Sequence, residues 1–341
     1  MAKKIWSLAI LLLVSFVITS NWHRIPSIAS NSSAQNIERS IVIGYSNWAG
    51  WWPWAIAESE GLFAKHGVEV ELRWYDDYTK SLEDLAADYI DGNCQTLNDT
   101  LSFAVDAVKG EVAVLVNDNS AGNDKIIAEA GINAIKDLKG KQVAIEAGVV
   151  NDFLLTLALE QAGMSRDDVA IIDLETGAAP TAFAAGQADA VGAFPPFWLT
   201  ALKRDGAKEI ISSKAFPGAI PDLLVVTEEL IKKHPQQVQA LIDTWFDILG
   251  FMSSQPRKAD QIMANRAGVS YEEFQLFKSG TKIFTIQENL EAFSHGNDMK
   301  SMSYATDKII DYLQNKLKIV DKKPNFTKIF NDRFIKAYAL Q

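Results

Sequence analysis

Beyond residue 40 the hydrophobic positions change period several times. Ile41–Tyr45 is a short apolar run, and Val68, Val70, Leu72 and Trp74 alternate with Glu69, Glu71 and Arg73, the period of two of a half-buried strand. Between them Pro53 stands where a first helical turn tolerates proline and Gly61 supplies a stop, so the pattern predicts a helix ending at Glu60. Leu82, Leu85, Ala86, Tyr89 and Ile90 then recur at helical spacing. Strands are predicted near 94–97 and over 112–116, and the turn-rich stretch 117–124 carries the chain onward. A second, similar unit follows: a strand at 141–145, a loop at 146–152, a helix over 153–162 closed by Gly163, and strands at 171–174 and 188–193. After a second crossing stretch at 215–222 comes a strand at 223–226. Everything later reads as amphipathic helix, with His234 and Pro235 opening a long one that holds Trp245.

Strands alternating with helices point to an α/β protein, and two such units joined by two crossing stretches point to two lobes with a cleft between them. Each lobe is expected to be a mostly parallel sheet flanked by helices, with a C-terminal helical segment. The expected division is 35–120 with 220–341 for the first lobe and 121–219 for the second. A chain of 341 residues exceeds the size at which one hydrophobic core usually stops growing, which fits this division.

Residues 1–34 differ from the rest. Lys3 and Lys4 precede an apolar run of fourteen positions, Ile5 to Ile18, and a polar stretch ending at Ala34. A membrane-spanning helix needs about 20 apolar residues, whereas the core of an export signal needs about 7 to 15 behind a basic start. The segment is read as an export signal cleaved after Ala29 or Ala34, with a retained N-terminal anchor as the alternative. Either places the protein in the periplasm or cell envelope.

Charge narrows the partners. The chain carries −10, and loss of residues 1–34 removes three positive charges and no acid, leaving −13. Nucleic-acid binding, which rests on clustered Lys and Arg, is therefore not expected. Cys94 is the only cysteine, so it forms no internal disulfide, and a small buried hydrophobe is its expected role. His66, His234 and His295 are far apart, and there is no phosphate-binding glycine loop, serine elbow, calcium loop or paired cysteine motif. Neither catalysis nor a metal or cofactor is expected.

In open α/β sheets ligands bind beyond the carboxyl ends of the strands. The stretches there, 45–54, 75–79, 97–100, 117–124, 146–152 and 194–198, hold Asp76, Asp77, Asp99, Asp118, Asp124, Glu146 and Asp152 and no Lys or Arg. They also hold Trp48, Trp51, Trp52, Trp54, Tyr75, Tyr78, Phe194, Phe197 and Trp198. Aromatic faces and carboxylates both suit a cation: a cation over a ring gains about 0.5 to 2 kcal/mol, and a charge leaving water must be paired. A planar guanidinium can do both at once. Trp48 is the expected stacking residue, while Trp52 and Trp54 lie on the helix start, where packing is the expected job. Any single acid has a plainer reading as a loop former, and Asp152 as the cap of the helix over 153–162.

The stretches "GYSNWAGWWPWAIAESEGLFAKHGVEVEL", "LEDLAADYIDG", "IKDLKGKQVAIEAG" and "AFAAGQADAVGAFPPFW", in this order, resemble the substrate-binding proteins of ABC importers of the nitrate, sulfonate and taurine group. The resemblance covers about residues 41–250. It implies a type II periplasmic-binding-protein fold, two lobes closing on a small solute, delivery to a membrane permease with a cytoplasmic ATPase, and no catalysis or cofactor; we expect a monomer. It also implies ligand contacts at Ser46, Asn47 and Trp48, at Asn98 and Asp99, at Asn117 and Asp118, at Glu146 and Gly148, and at Phe194 with Pro195. Added to these from the residues themselves are Trp51, Asp76, Asp77 and Asp152. Members carrying sulfonate or nitrate are expected to offer hydroxyls, helix N-terminal amides and often a basic side chain, whereas these loops are acidic. The combined expectation is a carrier for a small nitrogenous cation such as guanidinium. The alternatives are a small anion such as an alkanesulfonate, taurine or nitrate, an enzyme or sensor on the same fold, or a surface interaction protein using the tryptophan cluster.

Overall fold

The first apolar run forms strand β1 (Ile41–Tyr45) and the alternating segment forms β2 (Val70–Trp74), paired parallel from Ile41 against Val70 to Tyr45 against Trp74. The computed structural model describes residues 39–318 and 326–341, so the expected export signal over 1–34 lies outside the described residues. Among the described residues no helix is long and apolar enough to cross a membrane. Helix Trp54–Glu60 follows β1 and stops at Gly61, whose φ of 68° is the left-handed conformation that glycine adopts without a Cβ penalty. The next helix, Tyr78–Ala86, is capped by the Asp77 side chain, which accepts from the Lys80 amide at 3.3 Å. It is shorter than its apolar spacing predicts. Asp88 takes a positive φ of 66°, which ends the helical path and leaves Tyr89 70% exposed while Ile90 turns back into the core.

The remaining strands are β3 (Gly92–Thr96), β4 (Glu111–Ser120), β5 (Lys125–Ala128), β6 (Gln142–Ile145), β7 (Ala170–Asp173), β8 (Ala190–Ala193), β9 (Lys208–Ser212), β10 (Pro221–Thr227) and β11 (Thr281–Ile283). They form two sheets, one in the order β11-β4-β10-β3-β1-β2 and the other β7-β6-β8-β5-β9. Both sheets are mixed rather than mostly parallel. The strands joined by crossover helices (β1, β2 and β3; β6, β7 and β8) pair parallel. Strands that enter from a crossing stretch, β10 in one sheet and β5 in the other, run antiparallel to their neighbours.

Two further differences from the sequence pattern have one cause. Residues 117–120, turn-like by composition, continue β4, because β10 on one side and β11 on the other supply ladder partners along them. Pairing on both edges overrides the local turn preference of Asn, Asp and Ser. The short strands β5, β9 and β11 are likewise made by their neighbours and carry no pattern of their own. Helix Val150–Gln161 begins three residues before the expected start, with Asp152 inside its first turn.

Trp52 and Trp54 are core. Trp52 meets Phe274 and Phe277, each with ring centroids 6.0 Å away, and Trp54 lies against Phe63 at 6.1 Å and Trp245 at 5.0 Å. They join helix Trp54–Glu60 to the helices Pro235–Ser254 and Tyr271–Ser279. Cys94 is fully buried on β3, as expected of a small hydrophobe.

Candidate functional site

A small cavity lies where the loops of the two sheets meet, lined by Asn47, Trp48, Trp51, Tyr78, Thr96 and Asp222 from the first sheet's side and Asp124, Val150 and Phe194 from the second's. Trp48 and Trp51 sit in the tight turn after β1, pinned by hydrogen bonds from the Trp51 and Trp52 amides to the Trp48 carbonyl at 3.0 and 3.2 Å. Gly50 makes that turn possible. A Cβ on it would lie 1.7 Å from Asp118 Oδ2, so the chain passes over a buried carboxyl with room for no side chain.

The aromatic walls are set edge to face. Trp48 meets Phe194 at 6.2 Å and 85°, Tyr78 meets Phe194 at 6.5 Å and 89°, and Trp51 lies 5.4 Å from Tyr78. Such contacts hold rings at fixed angles, leaving a rigid apolar enclosure.

Acids occupy the rest. Asp124 and Asp222 line the cavity, and two more stand directly behind its walls: Asp118 accepts from Trp48 Nε1 at 3.0 Å, and Asp99 accepts from the Tyr78 hydroxyl and Thr96 Oγ1, both at 2.8 Å. All four are essentially inaccessible to solvent. Burial pushes Asp99 up to about 7 and Asp124 up to about 6, although hydrogen bonds from Thr96, Tyr78 and Asn98 to the former, and from Ser120 and Asn151 to the latter, pull the other way. Burial raises Asp118 to about 7, and burial, then the charge of Asp118, holds Asp222 well above the carboxylate range. Among the described residues no Lys or Arg lines the cavity. Lys125, next to Asp124, extends away to Glu209 at 2.5 Å and lies over the Trp198 ring.

Among the lining residues Asp124 Oδ2, Asp222 Oδ2 and Asn47 Oδ1 are buried acceptors without a hydrogen-bond partner, against one such donor, Trp51 Nε1. The cavity is therefore lined by buried acidic groups whose oxygens lack partners, and it is short of basic donors.

The expected contacts divide into three groups. Asn47, Trp48, Trp51 and Phe194 line the cavity, and Asp99 and Asp118 back it. Ser46, Asn98 and Asn117 are buried beside it; the Asn98 amide donates to Asp99 at 2.8 Å, and the side chain of Asn117 makes no hydrogen bond among the described residues. The rest are not brought to it. Asp76 and Asp77 are exposed, the first accepting from Trp74 Nε1 and the second capping a helix. Asp152 is not free to meet a ligand, because Arg166 binds both its oxygens at 2.9 and 3.0 Å and the Gly148 amide donates to it at 2.9 Å. Glu146 links the halves instead: one oxygen accepts from Thr79 Oγ1 at 2.6 Å, the other from Thr176 N and Oγ1 at 3.0 and 2.6 Å.

Asp222 and Thr96 were missing from the expected set, and both follow from topology. Asp222 pairs with Thr96 across β10 and β3. Since β10 runs antiparallel, its first residues sit at the carboxyl end of β3, and a search confined to strand ends passes over the strand that starts there. Tyr78 and Asp124 carried a visible signal, a ring and an acid in stretches already singled out.

Two mixed sheets meeting over an enclosed polar and aromatic cavity are the arrangement of the two-lobed periplasmic-binding-protein fold. The chain belongs to the NMT1/THI5-like family, whose model matches residues 49–259. A Brucella abortus protein provisionally designated a binding protein is 27% identical over 247 residues, 71% of this chain and 76% of its own length. In fold the chain is similar to the periplasmic aliphatic sulphonate-binding protein of Escherichia coli (TM-score 0.68, 20% identity, 86% of this chain and 97% of that one). It is also similar to the periplasmic nitrate-binding protein of Synechocystis PCC 6803 (TM-score 0.69, 12% identity, 88% of each chain).

Proposed function

We propose that this protein is the solute-binding component of an ABC importer and that its solute is a small nitrogenous cation, with guanidinium the best fit. It captures the cation between its two halves outside the cytoplasm and hands it to a membrane permease driven by a cytoplasmic ATPase, and residues 1–34 direct its export.

One observation carries the choice of charge: two acids line the cavity, two more back it, and among the described residues no Lys or Arg lines it to meet them. A guanidinium ion supplies what is short, N–H donors and positive charge, and its plane fits against Trp48 or Trp51 while its edges reach Asp124 and Asp222. Hydrogen bonds to charged groups contribute about 1.5 to 3 kcal/mol each, and a stacked cation adds about 0.5 to 2. Two of the first with one of the second sum to about 3.5 to 8 kcal/mol, reaching at their upper end the roughly 8 kcal/mol that a micromolar dissociation constant requires.

A second reading, a small anion, is favoured by the ligands named for the sulphonate- and nitrate-binding structures. It would need Asp124 and Asp222 protonated and acting as donors. Melting temperatures with submillimolar guanidinium, taurine and nitrate separate the two readings at pH 8. Stabilisation by guanidinium alone is expected; stabilisation by taurine or nitrate without guanidinium would overturn the cation.

A further inference from the structure

Behind the two crossing stretches lies a second and larger cavity, about 480 Å3. Its floor is the crossing chain itself, Asn119 to Ala121 leaving β4 and the return from Ser213 to Pro221. These are tied together by Ser120 Oγ and Ser213 Oγ at 2.7 Å and by the Gly122 amide donating to Ser213 Oγ at 2.8 Å. The facing wall comes from the C-terminal helical part, where Phe284, Met299 and Met302 give it an apolar body.

The charge is unevenly satisfied. Lys282 pairs with Glu288 at 2.7 Å and Glu291 accepts from Gln287 at 3.1 Å. Lys214 and Lys300, both exposed and both lining the cavity, form no ion pair among the described residues. An apolar chamber whose lining carries three lysines against two glutamates, with Lys214 and Lys300 in no ion pair among the described residues, suits a molecule with an apolar body and one negative end.

We propose that this cavity is a second binding site, for a small apolar monocarboxylate, and that its occupancy is linked to the arrangement of the two halves. The carboxylate lies between Lys214 on the crossing chain and Lys300 on the C-terminal part, with the apolar body against Phe284, Met299 and Met302. A molecule bound there touches both crossing stretches, so its affinity differs between arrangements that bend them differently, and occupancy shifts their balance.

The test uses the protein labelled with 13C at the methionine methyl groups, titrated with indole-3-acetate and with its neutral counterpart, indole-3-acetamide. The chain has six methionines, of which Met299 and Met302 line the cavity. Saturable shifts of these two methyl signals are expected with the acetate, with at least tenfold weaker binding of the amide. Lys214→Glu with Lys300→Glu changes two exposed side chains. It is expected to weaken the acetate at least tenfold, leave the amide unchanged and leave the melting temperature unaltered. Unmoved Met299 and Met302 signals, or equal affinity for acid and amide, would overturn the site. The linkage is read from the radius of gyration by small-angle scattering of the solute-free protein with and without saturating indole-3-acetate, and an unchanged radius would overturn it. Neither measurement depends on the solute of the acidic cavity.

Discussion

Asp222 is paired with Asp118 across the antiparallel β10 and β4, which sets two buried acids side by side at the cavity. Replacing Asp222 by Asn keeps the shape and removes a carboxyl that the cation would otherwise ionise and pair with. Guanidinium affinity is expected to fall by about 10- to 150-fold, the worth of one hydrogen bond to a charged group, by titration calorimetry. The solute-free protein is expected to melt no lower at pH 8 than the parent.

The raised acids set a pH dependence of definite sign. Asp99 and Asp124 rise to about 7 and about 6, so the folded state favours their protonated forms. Their contribution to stability is fully present below about pH 4 and is lost as pH climbs through 6 to 7. The solute-free protein is expected to melt progressively lower between pH 5 and 8, by an amount reduced in Asp124→Asn. Guanidinium binding runs the other way, tightening over the same range and releasing about one proton near pH 6.5, measured by calorimetry in buffers of different ionisation heat.

Thr79 and Glu146 come from different halves and meet at 2.6 Å. Thr79→Val removes the hydroxyl while Thr176 still holds Glu146. Dissociation of the solute is expected to speed up by about 10-fold or more, within the 1.5 to 3 kcal/mol of a charge-assisted bond, with association little changed. Stopped-flow tryptophan fluorescence reads both rates.

Gly50→Ala would set a methyl group 1.7 Å from Asp118 Oδ2. Overpacking of this kind costs about 1 to 3 kcal/mol, to be measured by urea denaturation. If the clash with Asp118 is the cause, Gly50→Ala with Asp118→Ala recovers part of that loss, although its solute affinity stays low.

Trp48 and Trp52 differ in role. Trp52→Ala is expected to cost about 3 to 5 kcal/mol of stability, as for other large buried aromatics. Trp48→Phe keeps a ring but loses the donor to Asp118. Its expected effect is weaker guanidinium binding with a melting temperature close to the parent's.

How much of this was legible in the chain depended on whether a neighbour or the local pattern decides a residue's state. The alternation at Val68 to Trp74 and the stop at Gly61 are local, and both structures formed as expected. Asn117 to Ser120 is strand only because β10 and β11 flank it, and no window of sequence contains that fact. The site follows the same division. The tryptophan turn and its acids announced an aromatic, acidic cavity, but which acids face it was decided at long range. Arg166 takes Asp152 from across its helix, and the antiparallel return of β10 brings in Asp222.

Asp118 and Asp222 stand on paired strands of a central sheet rather than on loops. Loops are the parts most easily exchanged between related proteins, so on the cation reading proposed above, transplanting the rim of a sulphonate-binding relative onto this chain would alter shape and leave these two acids in place. Converting the cargo from one sign to the other would require rewriting the scaffold beneath the rim, starting with those two strands.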